Sequence, residues 1–131
     1  MTQEQKDLLL KDLCARLPYG VKIRVTPVPE REHLAYDAKL FNINTNNIFG
    51  VIPDNDVKYI PHNIENVKPY LFPLESMTDE QEAEYNDLNC YELGTFPHLE
   101  AALDYLIENH FDYRNLIDIG LAIDATGLNI Y

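Results

Sequence analysis

The residues of this sequence that are suited to chemistry are concentrated in one short segment, NHFDYR at positions 109–114. Glu108, His110 and Asp112 alternate there, and carboxylate and imidazole groups bind divalent metals in many proteins. Alternate positions do not lie on one face of a helix, and the segment has no serine, cysteine or lysine to serve as a nucleophile. We therefore predict no catalytic residue, no metal ligand and no cofactor site at these positions.

A structural interpretation accounts for the same residues. Asp112 has a favoured N-cap side chain and precedes an apolar stretch, so it predicts a helix over residues 113–119. Gly120 fits the left-handed position that follows such a helix. Arg114 and Asp118 are four positions apart and would pair on the helix surface.

Other candidate motifs are weaker. Residues 54–56, DND, begin like a calcium-binding loop, but the expected glycine and the closing glutamate are missing, which favours a turn. His33 and His62 fall in polar segments, and His98 and Glu100 have no metal-binding spacing. The five glycines are isolated from one another, so the sequence has no phosphate-binding glycine loop.

The net charge of −12 is confined to one half of the chain. Residues 1–68 hold nine basic and nine acidic side chains, whereas residues 69–131 hold thirteen acidic side chains and only one basic one, Arg114. An acidic field of this kind repels nucleic-acid phosphates and anionic lipid and attracts cations. We therefore expect no direct binding to nucleic acid or membrane, and any protein partner to be basic.

Hydropathy and cysteine content suggest a cytoplasmic protein. No apolar run approaches the ~20 residues that a bilayer span requires, and the N-terminal sequence lacks the order of a signal peptide. Cys14 and Cys90 are the only cysteines, and each lies in a patterned segment without a second ligand nearby. Both are predicted to be reduced, structural thiols.

The first half of the chain predicts a helix followed by antiparallel strands. TQEQ at positions 2–5 has the form of a capping box, and LPYG at 17–20 would end the helix. Apolar residues recur between them at helical spacing, which predicts the buried stripe: Leu10, Leu13, Cys14 and Leu17. Between residues 20 and 61, alternating apolar positions predict a meander of three or four strands, with a bulge at Phe41 and a hairpin at 44–47.

The first predicted strand has a basic outer face, because Lys22 and Arg24 alternate with apolar residues. With Tyr19 and Tyr36 nearby, these two residues would form a cationic and aromatic patch of the kind that binds single-stranded nucleic acid. Two charges are too few to hold a phosphate backbone against a net charge of −12. The pattern favours a solvated sheet face.

The second half predicts acidic helices. Residues 61–73 contain three prolines and predict an ordered crossover without regular structure. Ser76 or Thr78 would cap a polar, exposed helix that begins with acids, and apolar spacing over 99–107 predicts a helix docked on the core, with Thr95 as its cap.

These elements predict one α+β domain over residues 1–131. It would consist of an N-terminal helix, a central antiparallel sheet of about four to five strands, and an acidic helical C-terminal half. Residues 89–93 would add one of those strands.

Three segments together resemble a known family. LPYG at 17–20, KPYLFPLESMT at 68–78 and HFDYRNLI at 110–117 are similar to motifs in small acidic hypothetical proteins encoded by anaerobic gut bacteria. Residues 26–60 depart from that pattern, so no site there is implied. The resemblance implies no activity, cofactor or catalytic residue.

The sequence leaves three functional hypotheses. A non-enzymatic protein-binding or regulatory module fits the missing catalytic pattern and the charge map best. An acidic DNA mimic that binds a basic nucleic-acid-binding protein is the first alternative, and a small metal-dependent hydrolase whose residues meet only in three dimensions is the second. Tyrosines are favoured at interfaces, and four are candidates here: Tyr59, Tyr70, Tyr85 and Tyr91.

Overall fold

The computed structural model of the protein describes residues 1–44, 48–53, 60–88 and 96–131. Within these residues the chain forms an α+β fold of three α-helices and seven strands. The helices are α1 (Gln3–Arg16), α2 (Asp79–Leu88) and α3 (Phe96–Glu108). The strands are β1 (Lys22–Val25), β2 (Tyr36–Ile43), β3 (Ile48–Pro53), β4 (Ile60–Asn63), β5 (Val67–Pro73), β6 (Phe111–Asp112) and β7 (Ile123–Asp124).

The sheet is mixed and has more strands than the sequence predicts. Its order is β4-β3-β2-β1-β5-β6, and β7 also pairs with β5. Pairs among β1 to β5 are antiparallel, whereas β6 and β7 run parallel to β5. The predicted bulge is confirmed, because the β2–β3 register shifts between Leu40 and Asn42. The β2–β3 hairpin is also confirmed, although its residues 45–47 lie outside the described chain.

The sheet curls strongly. β4 and β5 stand four strand spacings apart, which is about 19 Å on a flat sheet. The short 3₁₀ turn at Ile64–Asn66 joins them directly, and so few residues span at most about 14 Å. The Asn66 carbonyl accepts a hydrogen bond of 2.8 Å from the Thr26 amide, which extends the pairing of β1 with β5 beyond the strand ends.

Helix α1 packs on the core face of this sheet, but it is rotated relative to the prediction. Its capping box is present, with Thr2 and Gln5 bonded to each other's backbone amides. The buried residues of α1 are Leu9, Asp12, Leu13 and Arg16. Cys14 is exposed, so its predicted place on the buried stripe is wrong. The rotation arises because an ion pair turns inward, which a count of apolar residues does not detect.

The core is continuous from α1 through the sheet to the last turns of the chain. Leu9 and Leu13 pack with apolar side chains of β1, β2, β3 and β5, and Leu116 and Leu121 close the far side. All but the last of these named residues are fully buried.

Residues 61–73 are not a crossover without regular structure, as predicted. They contribute β4 and β5, and β5 lies between β1 and β6. The prolines made a strand unexpected, because proline has no backbone N–H to donate to a neighbouring strand. β5 tolerates Pro69 and Pro73 because its partners are short: β1 pairs over Val67–Pro69, and β7 and β6 pair with two residues each.

The helices of the second half are confirmed only in part. α2 is polar and exposed as predicted, and Thr78 caps it with Gln81 as partner, at 3.2 Å and 3.0 Å. α3 is present, although its predicted cap Thr95 and the predicted strand at 89–93 lie outside the described residues. The helix predicted over 113–119 is wrong, because that segment forms a series of turns.

Candidate functional site

Residues 109–114 lie against an ion pair buried inside the protein. Asp12 and Arg16 are one helical turn apart on α1, and both are fully buried. The Arg16 Nε donates to Asp12 Oδ2 at 2.8 Å, and its Nη2 donates to the Phe111 carbonyl at 2.6 Å. Arg16 therefore ties α1 to the start of β6, which is 95 positions away in the chain.

Arg114 also turns towards α1, so its predicted pairing with Asp118 is wrong. Its Nε lies 3.3 Å from Asp12 Oδ1, and its Nη2 donates to the Tyr113 hydroxyl at 2.6 Å. The guanidinium also lies over the Tyr113 ring, 4.7 Å from its centroid. Asp118 is exposed. Asp12 therefore contacts both arginines. Arg114 pairs with the Asp12 carboxylate rather than with the exposed Asp118 carboxylate, because the Asp12 carboxylate is already desolvated.

Asp112 binds backbone amides as predicted, but the amides belong to turns. Its Oδ1 accepts from the Leu116 amide and its Oδ2 from the Ile117 amide, both at 2.9 Å. The side chain is buried. A carboxylate that accepts two backbone hydrogen bonds in this way fixes the chain path after β6.

His110 has the left-handed backbone expected at the end of α3, with φ of 63°. Its ring stacks on Tyr131, with 3.9 Å between centroids and 11° between planes. Burial, and secondarily the charge of Arg16, lowers the pKa of His110 to about 4. The imidazole is therefore neutral at neutral pH.

The structure does not bring the three alternating residues to one point. Glu108 is exposed on α3, whereas His110 lies against Tyr131 and Asp112 binds backbone amides. Among the residues that the structure describes, no group of three or more His, Cys, Asp or Glu side chains is placed to hold a metal ion. The DND motif at 54–56 falls outside those residues.

His62 is not in a polar loop, as the sequence suggested, but in β4. Its Nε2 lies 2.5 Å from the Tyr36 hydroxyl, across the curl of the sheet. Burial lowers the pKa of His62 and raises the pKa of Tyr36, so the pair is neutral near pH 7 and holds no phenolate. Tyr36 pairs with Val25 on the core side, so it does not join Lys22 and Arg24 in a patch.

The remaining candidates differ in exposure. His33 and Tyr19 are exposed, Tyr85 is half-buried and Tyr70 is buried. Tyr59 and Tyr91 lie outside the described residues, as does Cys90, and nothing is described of the His98 side chain.

A cleft of about 230 Å³ lies beside Asp112. Glu75, Asp118 and Asp124 line it with Asp112, together with Asn115, whose φ is 62°. The two oxygens of Asp112 already accept backbone hydrogen bonds, so this cleft is acidic without being an assembled ion site.

An acidic surface lies on α2 and α3, which pack against each other. We call it the acidic helix face, and its carboxylates are all exposed: Asp79, Glu80, Glu82, Glu84, Asp87, Glu100, Asp104 and Glu108. The two helices contain no lysine or arginine. The face is continuous between the helices, since the Tyr105 hydroxyl of α3 bonds Glu84 of α2 and lies near Glu108. Burial and then these carboxylates raise the pKa of Tyr105.

A basic surface lies on the outer side of the sheet. We call it the basic sheet face, and it comprises Lys22, Arg24, Lys39 and Lys68. Lys22 is opposite Lys39, and Arg24 is opposite Lys68. The sequence indicated only the two residues of β1, because Lys68 lies in the segment predicted as a crossover and because the register of β2 against β1 is not a local property.

Comparisons of the chain with protein-family models, with curated proteins and with solved structures find no match. In the described part of the chain, none of the helices has the length and apolar character needed to cross a bilayer.

Proposed function

We propose that this protein is a non-enzymatic binding module and that its acidic helix face binds a basic surface on a protein partner. The observation that carries the proposal is the packing of α2 against α3 with eight exposed carboxylates and no lysine or arginine on either helix. Two helices side by side present these charges together, which a basic partner requires for steering and contact.

Folding explains the acids of α2 only in its first turn, where a helix N-terminus favours negative charge. None of its residues is buried, so the core places little demand on its sequence. Glu80, Glu84 and Asp87 nevertheless recur at spacings of four and three, where like charges repel and weaken a helix. On α3, Glu100, Asp104 and Glu108 form a second line at spacings of four. A cationic surface bound along these two lines of carboxylates would relieve that repulsion.

Affinity capture from native lysate tests this proposal. The bait carries Glu80→Gln, Glu82→Gln, Asp87→Asn and Asp104→Asn, and we expect it to lose a basic partner that the unmodified protein captures. A matched control neutralises four exposed acids elsewhere: Glu4→Gln, Glu30→Gln, Glu75→Gln and Asp118→Asn. Because the two baits have the same net charge, a difference in capture reports the acidic helix face and not the total charge. Capture that survives the first set of changes, or is lost with both sets, contradicts the proposal.

A DNA mimic is the second candidate, and the adjacency of α2 and α3 is the observation that favours it. A basic site built for a duplex responds to carboxylates spread over one exposed face, and helices on opposite sides of the protein would not supply that. The captured partner distinguishes the two forms of the proposal. Duplex DNA added to the complex should displace this protein from a nucleic-acid-binding partner at its DNA site. A partner that binds both at once rules the mimic out.

A further inference from the structure

The basic sheet face places like charges directly opposite each other. Lys22 faces Lys39 across β1 and β2, and Arg24 faces Lys68 across β1 and β5. Side chains at such paired positions are about 5 Å apart at Cβ, and like charges there destabilise a sheet. Four of the ten basic residues of an acidic chain are used in this way.

The fold neutralises only part of this charge. Arg24 lies opposite Asp37 and bonds Tyr70, and these contacts raise the pKa of Arg24, with Glu32 contributing less. Asp37 also accepts a hydrogen bond from the Tyr70 hydroxyl. Lys39 and Lys68 are exposed, and in the described part of the chain neither forms an ion pair. The face therefore retains positive charge available to an external acidic group.

We propose that this face binds the acidic helix face of a second copy of the chain. The inference rests on the proposed function, because it uses the same acidic surface and names a partner for it. The chain itself carries both complementary surfaces, with the exposed Lys39 and Lys68 on one and eight exposed carboxylates on the other.

Association through two different surfaces is head-to-tail. Each added copy leaves one basic and one acidic face open, so the product is a ring or an open chain rather than a closed two-fold dimer. The net charges of the copies repel, but at physiological salt that repulsion is screened beyond about 8 Å, whereas faces in contact are closer than this. Assembly should therefore be reversible and weakened at high salt.

A charge-swap experiment by sedimentation velocity tests the inference. The sheet variant carries Lys39→Glu and Lys68→Glu. A second form adds Arg24→Glu, and comparison of the two forms shows the effect of losing the Arg24 contacts. The helix variant carries Glu80→Lys, Glu82→Lys and Asp87→Lys. Circular dichroism confirms that each is folded. Both variants keep a net negative charge, so mixing them introduces no overall attraction.

We expect the unmodified protein to sediment as larger species at about 50 mM NaCl and to dissociate at about 500 mM, with association weakened roughly tenfold or more. Each variant alone should be monomeric, and an equimolar mixture should associate again, because each acidic surface then meets a basic one. An unmodified protein that is monomeric at low salt overturns the inference, as does a mixture that stays monomeric.

The failure of this inference can be distinguished from the failure of the proposed function. The sheet variant retains the acidic helix face, so it should still capture a foreign basic partner. Capture by this variant without self-association contradicts the second-copy partner alone. In a third outcome, the unmodified protein self-associates, the helix variant does not, and no variant captures a foreign protein. That outcome supports the second copy as the only partner of the acidic helix face.

Discussion

At the scale of single residues, the functional side chains of NHFDYR contact other parts of the fold. Asp112 binds two amides, Arg114 contacts Asp12, and His110 stacks on Tyr131. The sequence predicted the amide-binding role of Asp112 because capping is a local property of nearby backbone. It did not predict the partner of Arg114, because that partner belongs to α1 and is brought close only by the complete fold.

The first prediction concerns Asp112. Asp112→Ala should lower the free energy of unfolding by about 2–3 kcal/mol, because two amides lose a charged, buried acceptor. Asp112→Asn keeps one carbonyl oxygen and should lose roughly half as much. Urea denaturation measures both. An Asp112→Ala protein as stable as the parent would show that the turns after β6 hold themselves without this side chain.

The second prediction is a pH dependence carried by His110. The unfolded chain binds this proton with a pKa near 6.5 and the folded chain with a pKa of about 4, so the unfolded state holds more protons between those values. His110 therefore contributes its full stability above about pH 6.5, and the contribution falls by about 2–3 kcal/mol as the pH drops towards 4.

His110→Asn is the control for this titration, since asparagine tolerates the left-handed backbone at this position. Unfolding of both proteins from pH 7 to pH 4 should show a smaller decline in the variant. Parallel curves would mean that carboxylates alone cause the acid sensitivity.

At the scale of elements, the sequence identified those whose signals are local. The cap of α1, the bulge in β2 and the exposed helix α2 follow from neighbouring residues and were all predicted. β5 was not predicted because its prolines are unusual in a strand. Its first residues pair with β1 and its last two pair with β6. The rotation of α1 was not predicted because charged residues such as Asp12 and Arg16 are expected at the surface. The bond from Arg16 to the Phe111 carbonyl, which explains the burial of Arg16, is visible only in the fold.

The third prediction tests that rotation. Arg16→Met should destabilise the protein by about 3 kcal/mol, because Asp12 then keeps only the 3.3 Å contact with Arg114 inside a dry environment. Lys11→Met, on the exposed side of the same helix, should change stability by less than about 0.5 kcal/mol. Thermal or urea unfolding gives both values. Equal effects would place Arg16 at the surface of the folded protein.

At the scale of the whole molecule, charge is divided between surfaces rather than spread evenly. The sequence gives the amount of charge in each half, but not that α2 lies against α3 or that Lys39 and Lys68 flank β1. Helix contact and strand order are long-range properties, so the two charged faces appear only in the fold. The consequence is a protein whose stability should respond to salt.

The last prediction uses that response. The carboxylates of the acidic helix face repel one another, so NaCl should raise the free energy of unfolding by screening them. The variant with Glu80, Glu82, Asp87 and Asp104 neutralised should gain about 1 kcal/mol at low salt and respond less to added NaCl. The matched variant, with four acids outside the acidic helix face neutralised, changes net charge equally but removes none of the carboxylates of α2 and α3, so its gain should be smaller. Equal gains in urea denaturation would mean that arrangement is unimportant and that only net charge acts, which would remove the energetic argument for a selected binding face.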